Sequence, residues 1–179
     1  EISACLVGSE MCIRDSLYDE EHHAAAAIHA GWRGTLARIV HKTLQEMAFA
    51  YKTDPKKLKA VIGPGISLDS FEVGDEVYEA FEQAAFPMEE IAEQHPNSAF
   101  SADPAERERL AAEGNIVQPL KWHINLPLCN KQILLHCGVA EENIQDCGIC
   151  TFQHSDEFFS ARKLGVDSGR IYTAILLEK

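Results

Sequence analysis

The chain has 179 residues, of which 46% are hydrophobic and 25% charged, and its formal net charge is −12 at pH 7. This length and composition predict one folded domain with a sizeable core rather than a disordered chain. The negative charge argues against a general binder of nucleic acid or of anionic membranes, and no apolar run approaches the ~20 residues that span a bilayer. Six cysteines are too few for a dense disulfide framework, so we expect a reducing, cytoplasmic location.

Residues 1–16, EISACLVGSEMCIRDS, show neither the alternation of a strand nor the periodicity of a helix. They join abruptly to LYDEEHH, which is typical of a strand end followed by a turn. We therefore expect residues 1–16 to be an anomalous, non-native segment that resembles translated adaptor sequence. Residues 17–179 are expected to form a single domain, and this hypothesis implies that part of the natural protein lies upstream.

The remaining chain alternates strand and helix patterns. Strands are predicted at residues 24–29, 58–62, 144–151 and 170–177. Helices are predicted to follow Thr35, Gly74, Asp103 and Asn125, and Thr35 is expected to cap the first of them. The polar stretch 86–121 is expected to be a long excursion. The simplest interpretation is one layered α/β (α+β) domain with a mixed sheet at its core and flanking helices.

The junction AAAAIHAGWRGT carries the strongest functional signal. His29 ends an apolar strand, and a neutral imidazole at a rigid strand end suits zinc. From spacing alone a histidine bonded to backbone is favoured, because one histidine makes no metal site. Arg33 stands between two glycines at a helix start, where it could grip a phosphate or simply lie exposed beside a packed Trp32. These two interpretations of Arg33 are evenly matched.

Three other features are weak when taken singly. The glycine-rich residues 63–65 end a second strand and either line a pocket or turn the chain. The segment FFSARK at 158–163 places basic residues beside aromatic rings, which suits an anionic substrate or a solvated loop. Cys147 and Cys150 form a CxxC, but residues three apart on a strand point to opposite faces. We therefore predict that these are structural cysteines, with Cys150 the more interesting of the two.

The chain resembles one family in several motifs, which occur in the family's order: HAGWRGT, IGPGIS, FEVGDEV, an N-L…N…QIL…CGV segment, Cys150-Thr151, and FFSARK with SGR. It is the YfiH-like, laccase-domain-containing purine nucleoside phosphorylase family, formerly labelled multicopper polyphenol oxidase and also called peptidoglycan editing factor. The resemblance runs from about Leu17 to the C-terminus. The sequence has no His-x-His pair, which argues against a multinuclear copper centre.

The resemblance implies a layered α/β fold and a zinc ion held by two histidines and one cysteine. His29 matches the histidine of the family's H-A-G-W-R-G motif, whereas the V-H-G motif with the other histidine is absent. The cysteine of the T-A-D-C motif should stand seven residues before Asp19, which falls on Cys12, although the neighbours of Cys12 depart from that motif. His29 and Cys12 are thus the candidate Zn²⁺ ligands. We expect the chain as given to bind zinc weakly or not at all.

The activity that the resemblance implies is phosphorolysis of adenosine, inosine or methylthioadenosine to the free base and ribose 1-phosphate, with adenosine deamination as a related activity. The expected partners are therefore a purine nucleoside and phosphate, with Arg33, Arg162 and Arg170 as candidates for holding phosphate; no catalytic residue is assigned. Two alternatives stay open. One is a hydrolase (amidase) that edits peptidoglycan precursors, and the other is a non-catalytic, metabolite-binding remnant that lacks upstream ligands.

Overall fold

A computed structural model describes residues 15–97, 100, 103–112, 118–165, 167–169, 171 and 173–178. The strands in these residues are β1 Asp15–Asp19, β2 Ala24–Ile28, β3 Lys59–Ile62, β4 Glu72–Val73, β5 Ala92–Pro96, β6 Leu120–Ile124 and β7 Ile144–Asp146. The helices are α1 Trp32–Leu36, α2 Ile39–Tyr51, α3 Asp75–Gln83, α4 Met88–Ile91, α5 Pro104–Ala112, α6 Leu126–His136 and α7 Ala161–Leu164. The predicted mixed α/β fold is therefore confirmed.

The larger sheet has four strands in the order β2-β1-β3-β7. Strand β1 is antiparallel to both β2 and β3, whereas β3 and β7 are parallel. The register places Asp15, the first residue of β1, opposite Ile28 on one side and Ile62 on the other, and Ile62 opposite Asp146. Strands β2, β3 and β7 therefore all end at the same edge of this sheet, which we call the carboxyl edge.

The smaller sheet has three antiparallel strands in the order β4-β6-β5. The sequence pattern did not predict β5, because its residues, AEQHP, have no apolar alternation. Strand β5 and helix α4 lie inside the predicted excursion 86–121 and were not predicted, whereas α5 in the same stretch is the helix predicted after Asp103. This sheet is connected to α6 through Asn125, whose side-chain oxygen accepts a hydrogen bond from the backbone N–H of Leu128 and caps the helix as predicted.

Helices α2 and α6 contact each other and cover the larger sheet. Alternate residues of β1 and β2 are buried beneath them, as period-two alternation requires. The most deeply buried apolar side chains are Leu17, Val40, Leu58, Ile62, Phe81, Ile91, Ile124, Cys129 and Leu134. One core therefore joins both sheets, and its burial fixes the position of the loops at the carboxyl edge.

Three predicted local features are wrong. Thr35 is no cap: α1 already begins at Trp32, and the buried Thr35 hydroxyl donates to the carbonyl of Ala30. The strand predicted at 144–151 stops at Asp146, because Gly148 adopts a left-handed φ of 65° that turns the chain out of the ladder. The described residues of 170–177 form no strand, and Leu176 there is 83% exposed, so its apolar pattern meets no partner surface in this part of the structure.

The division at residues 16 and 17 stays a prediction. Residues 1–14 lie outside the described part of the chain, and β1 begins at Asp15. Among the described residues, no helix is both long enough and apolar enough to cross a membrane.

Candidate active site

Three of the motifs follow the three strands that end at the carboxyl edge. His29 directly follows β2, the glycine-rich residues 63–65 directly follow β3, and the segment leading to Cys150 follows β7. In open α/β sheets ligands bind outside the carboxyl ends of the strands, because the loops there converge on one crevice. The sheet therefore gathers motifs that are more than 100 residues apart, as His29 and Cys150 are.

The loop after β2 is built tightly around His29. A Cβ atom added to Gly34 would lie 2.8 Å from the carbonyl oxygen of His29, closer than backbone allows, so this helical position requires glycine. A Cβ atom on Gly31 would lie 3.3 Å from Nε2 of His29. The two glycines thus let α1 begin close to His29, and a side chain at position 31 would crowd its Nε2 atom.

The loops after β3 and β7 are joined by backbone. Gly65 and Cys150 form an isolated parallel bridge, in which the N–H of Gly65 donates to Ile149 and the N–H of Thr151 donates to Gly65. The N–H of Cys147 donates in turn to Ile62, the last residue of β3. All of these are backbone hydrogen bonds, so the main chains of the two loops hold each other at the sheet edge.

Cys150 lies in the middle of this junction, 4% exposed. Its Sγ accepts hydrogen bonds from the backbone N–H of Ser67 at 3.4 Å and from the Ser67 hydroxyl at 3.1 Å, and Ser70 Oγ lies 3.5 Å away. Burial by itself raises the pKa of the thiol, but these bonds and the N–H of Gln153 stabilise the thiolate more and lower the pKa of Cys150 to about 7. Cys150 is buried, as a structural cysteine would be, but the sequence pattern did not predict this set of hydrogen bonds.

The smaller sheet supports the serine-bearing turn. His123 in β6 is 7% exposed, and its Nδ1 donates to the carbonyl oxygen of Leu68 at 2.9 Å. The ring of His123 also stacks on that of His95 in β5, with 4.3 Å between centroids. The hydrogen bond from His123 thus fixes the short 3₁₀ turn Leu68–Ser70 and keeps Ser70 beside Cys150. No motif in the sequence marks this role of His123.

The two described arginines among the phosphate candidates make different contacts. Arg33 is exposed, and its guanidinium lies over the ring of Trp32, 4.3 Å from the centroid. Arg162 donates from Nη1 to the carbonyl oxygen of Glu72 at 2.7 Å and lies over the ring of Phe71. Arg162 therefore binds the strand β4 that follows the serine-bearing turn, and Arg33 stays with its own helix. Arg170 lies outside the described residues, so its role stays a prediction.

The described residues supply one candidate zinc ligand, His29. A catalytic zinc takes three protein ligands, and no group of three histidine, cysteine, aspartate or glutamate side chains that could hold a metal ion occurs in the described ranges. Cys12 lies outside those ranges. The described residues alone therefore do not fit a complete zinc site, and zinc binding stays a prediction.

A mixed sheet with helices packed against it and motif-bearing loops at its carboxyl edge defines an α/β protein of the layered class. The model of the family described as multi-copper polyphenol oxidoreductase laccase matches residues 3–178. The chain belongs to this family, which confirms the resemblance drawn from the motifs.

Several curated proteins are similar to the chain. A purine nucleoside phosphorylase of Bacteroides thetaiotaomicron is 41% identical over 176 residues, covering 98% of this chain and 57% of that protein. The adenosine deaminase RL5 of an unknown prokaryotic organism is 35% identical over 169 residues, covering 94% and 56%. A purine nucleoside phosphorylase of Staphylococcus aureus strain COL is 32% identical, covering 92% and 52%. The chain thus spans about half the length of these relatives.

Solved structures share the fold. The Neisseria meningitidis protein NMB0706 is 28% identical, with a TM-score of 0.61 over 88% of this chain and 53% of that one. The Bacillus licheniformis hypothetical protein YfiH is 22% identical, with a TM-score of 0.64 over 86% of this chain and 49% of that one. These structures confirm the layered α/β architecture.

Proposed function

We propose that this chain carries part of the active site of a purine nucleoside phosphorylase, located at the carboxyl edge of the larger sheet. The observation that carries the proposal is the meeting of the loops after β2, β3 and β7 at one edge. The names of the relatives from Bacteroides and Staphylococcus supply the substrate class, a purine nucleoside, and phosphate as the second substrate.

Phosphorolysis needs a site that binds the phosphate anion and a group that can hold the proton taken up by the leaving base. Phosphate oxygen attacks C1′ of the ribose, the bond from C1′ to the purine nitrogen breaks, and the base leaves with the electron pair and takes up a proton. Arg33, exposed at the start of α1, is the described candidate for holding phosphate near His29. Cys150, with its pKa lowered to about 7, is the candidate for holding a proton in the neutral range.

Zinc enters this proposal through His29. A bound zinc ion would polarise a substrate oxygen or position the attacking group, and His29 would supply one ligand with Nε2 or Nδ1. Cys12 is the second candidate zinc ligand, and only its spacing from Asp19 supports it. Because the described residues supply only His29 as a candidate ligand, we predict weak or no zinc retention by this chain. A stoichiometric zinc that resists chelators, measured by elemental analysis, would contradict that prediction.

The test is release of the purine base from inosine and from adenosine, with and without phosphate. The proposal predicts release only when phosphate is present, together with an equal amount of ribose 1-phosphate. Base release that is independent of phosphate would exclude phosphorolysis. The variant His29→Ala should lose turnover, whereas His23→Asn should keep it, because His23 is exposed in the β1–β2 turn at the opposite edge of the sheet.

Adenosine deamination is the second candidate function, and the relative named adenosine deaminase RL5 favours it. In this reaction water attacks the purine ring, ammonia leaves, and the glycosidic bond stays intact. Ammonia release from adenosine without base release would therefore select it over phosphorolysis. Offering a peptidoglycan precursor to the same preparation tests the amidase alternative. Nucleoside binding without turnover of either substrate would favour the metabolite-binding remnant. A cytoplasmic location stays a prediction.

A further inference from the structure

A cavity of about 470 Å³ lies between the start of α2, the turn that joins α3 to α4, and the face of α6 that carries Cys129, Ile133 and His136. It shares no residue with the loops of the candidate active site. Gly138, just after α6, lies against Pro55, which precedes the amino end of β3. The last turn of α6 therefore faces the amino end of that strand, whereas the candidate active site lies at its carboxyl end.

The polar part of this cavity is basic. Arg38 and His41 line it from the first turn of α2, and His136 lines it from the last turn of α6. No carboxylate is among the described residues that line it, although the whole chain has a net charge of −12. Gln132, which lines the cavity, donates a hydrogen bond to the carboxylate of Glu90 at 2.6 Å. The cavity thus offers one permanent cation and two imidazoles to an anion.

The cation is held in place before any ligand arrives. Arg38 has a left-handed backbone, with φ 54°, and one of its guanidinium N–H groups donates to the carbonyl oxygen of Ala84 at 3.0 Å. The guanidinium lies 4.6 Å from the centroid of the Phe86 ring. Ala85, between these two partners, is also left-handed, with φ 57°. Each of these residues directly follows the end of a helix, α1 or α3, where a left-handed backbone is common, and the two turns fix where Arg38 and Phe86 lie.

The rest of the wall is apolar. Phe86, Pro87 and Ile133 line the cavity beside the basic groups. Inorganic phosphate alone would leave this surface in contact with water, whereas a ligand with an apolar body would cover it. A cavity of this volume is within the usual range for small-molecule sites, which run from about 300 to 1,000 Å³.

We propose that this cavity binds a small organic anion, with its carboxylate or phosphate group on Arg38, His41 and His136 and its apolar body on Phe86, Pro87 and Ile133. The proposal is independent of phosphorolysis at the carboxyl edge. It concerns different residues, and it stands if that function fails.

The probe is phenyl phosphate, titrated into the isotope-labelled chain and followed by amide NMR, with inorganic phosphate and benzyl alcohol as comparison ligands. We expect saturable shifts at Arg38, His41, Ala85 and Gln132. Phenyl phosphate should bind at least about tenfold more tightly than benzyl alcohol, since the charge-assisted hydrogen bonds are lost with the latter. It should also bind several-fold more tightly than inorganic phosphate.

Two variants and a control separate binding from folding. Arg38→Asn removes the charge but keeps a residue that tolerates the left-handed backbone, and we expect about tenfold weaker binding. The double variant His41→Gln with His136→Gln changes two side chains outside the core and should also weaken binding several-fold. Lys42→Gln removes a neighbouring exposed charge on α2 that does not line the cavity, and it should leave binding unchanged.

Three results would overturn the proposal. The first is a set of shifts that never saturates or that maps to the carboxyl edge. The second is equal binding of phenyl phosphate by the folded Arg38→Asn and double-histidine variants and by the native chain. The third is equally tight binding of inorganic phosphate, which would show that the apolar wall recognises nothing.

Discussion

The two sheets of this protein contribute differently to the candidate active site: the larger one carries its loops, and the smaller one supports one of its turns. The larger sheet ends three strands at one edge, and each is followed by a loop with a glycine or cysteine motif. The smaller, antiparallel sheet contains part of the FEVGDEV motif in β4, and its His123 fixes the turn that carries Ser70. The candidate site is thus formed on the larger sheet and positioned by the smaller one.

The difference follows from burial. Strand β1 alternates fully buried residues with partly buried ones, so its pairing is set by the core beneath it. Strand β5 has no fully buried residue and contacts β6 through its backbone ladder. Changes to the larger sheet should therefore affect stability most, and changes to the smaller sheet should act mainly on the geometry of the serine-bearing turn.

The largest expected effect comes from a cavity in the core of the larger sheet. Leu17 in β1 is fully buried, so Leu17→Ala should reduce the free energy of unfolding by about 2–5 kcal/mol. Leu120 in β6 is 43% exposed, so Leu120→Ala should change the free energy of unfolding by less than about 0.5 kcal/mol. Denaturant unfolding of both variants measures the difference. Equal losses would contradict the difference in burial between these two leucines.

Gly34→Ala should have the next largest effect. The added methyl would lie 2.8 Å from the His29 carbonyl oxygen, and we expect this clash to cost about 1–3 kcal/mol beyond the gain in helix propensity. Gly31→Ala meets only the end of the His29 side chain, at 3.3 Å, so it should cost less but move the imidazole signals of His29 in NMR spectra. An unchanged stability of Gly34→Ala would mean that this close approach is absent in solution.

Removing the hydrogen bond from His123 to the serine-bearing turn should have a smaller effect that is specific to the candidate site. His123→Leu leaves the carbonyl of Leu68 without its donor, which should cost about 1–3 kcal/mol. Because the turn then holds Ser70 less firmly, the pKa of Cys150 should also rise. Thiolate absorbance followed against pH reports the second effect. A lower stability with an unchanged pKa of Cys150 would show that His123 does not position the turn.

The smallest effect is a direct change in the pKa of Cys150. Ser67→Ala removes the 3.1 Å hydroxyl bond and should raise the pKa of Cys150 from about 7 toward the ordinary value of ~8.5. Ser70→Ala, with its oxygen at 3.5 Å, should raise it less. Because the folded pKa lies below the ordinary one, ionisation of Cys150 stabilises the fold above the ordinary pKa, and this contribution is lost as pH falls through 7. The reverse order of the two variants would contradict the geometry.

Much of the larger sheet and its edge could be predicted from sequence. The strands at Ala24 and Lys59 and the helix capped by Asn125 are marked by apolar periodicity and by local capping signals. The environment of Cys150 could not be predicted, because Ser67 is 83 residues away and pairs with it only through the parallel bridge at Gly65. Strand β5 could not be predicted because its pairing with β6, rather than a pattern in its own residues, makes this segment a strand.

We propose that purine nucleoside and phosphate meet at the carboxyl edge of the larger sheet. Amide NMR of the labelled chain, titrated with inosine in the presence of phosphate, is the decisive experiment. We expect saturable shifts in the three loops after β2, β3 and β7, above all at His29, Gly65 and Cys150, and their loss in His29→Ala but not in His23→Asn. Saturable shifts confined to β5 and β6, or to the cavity at Arg38, would contradict it.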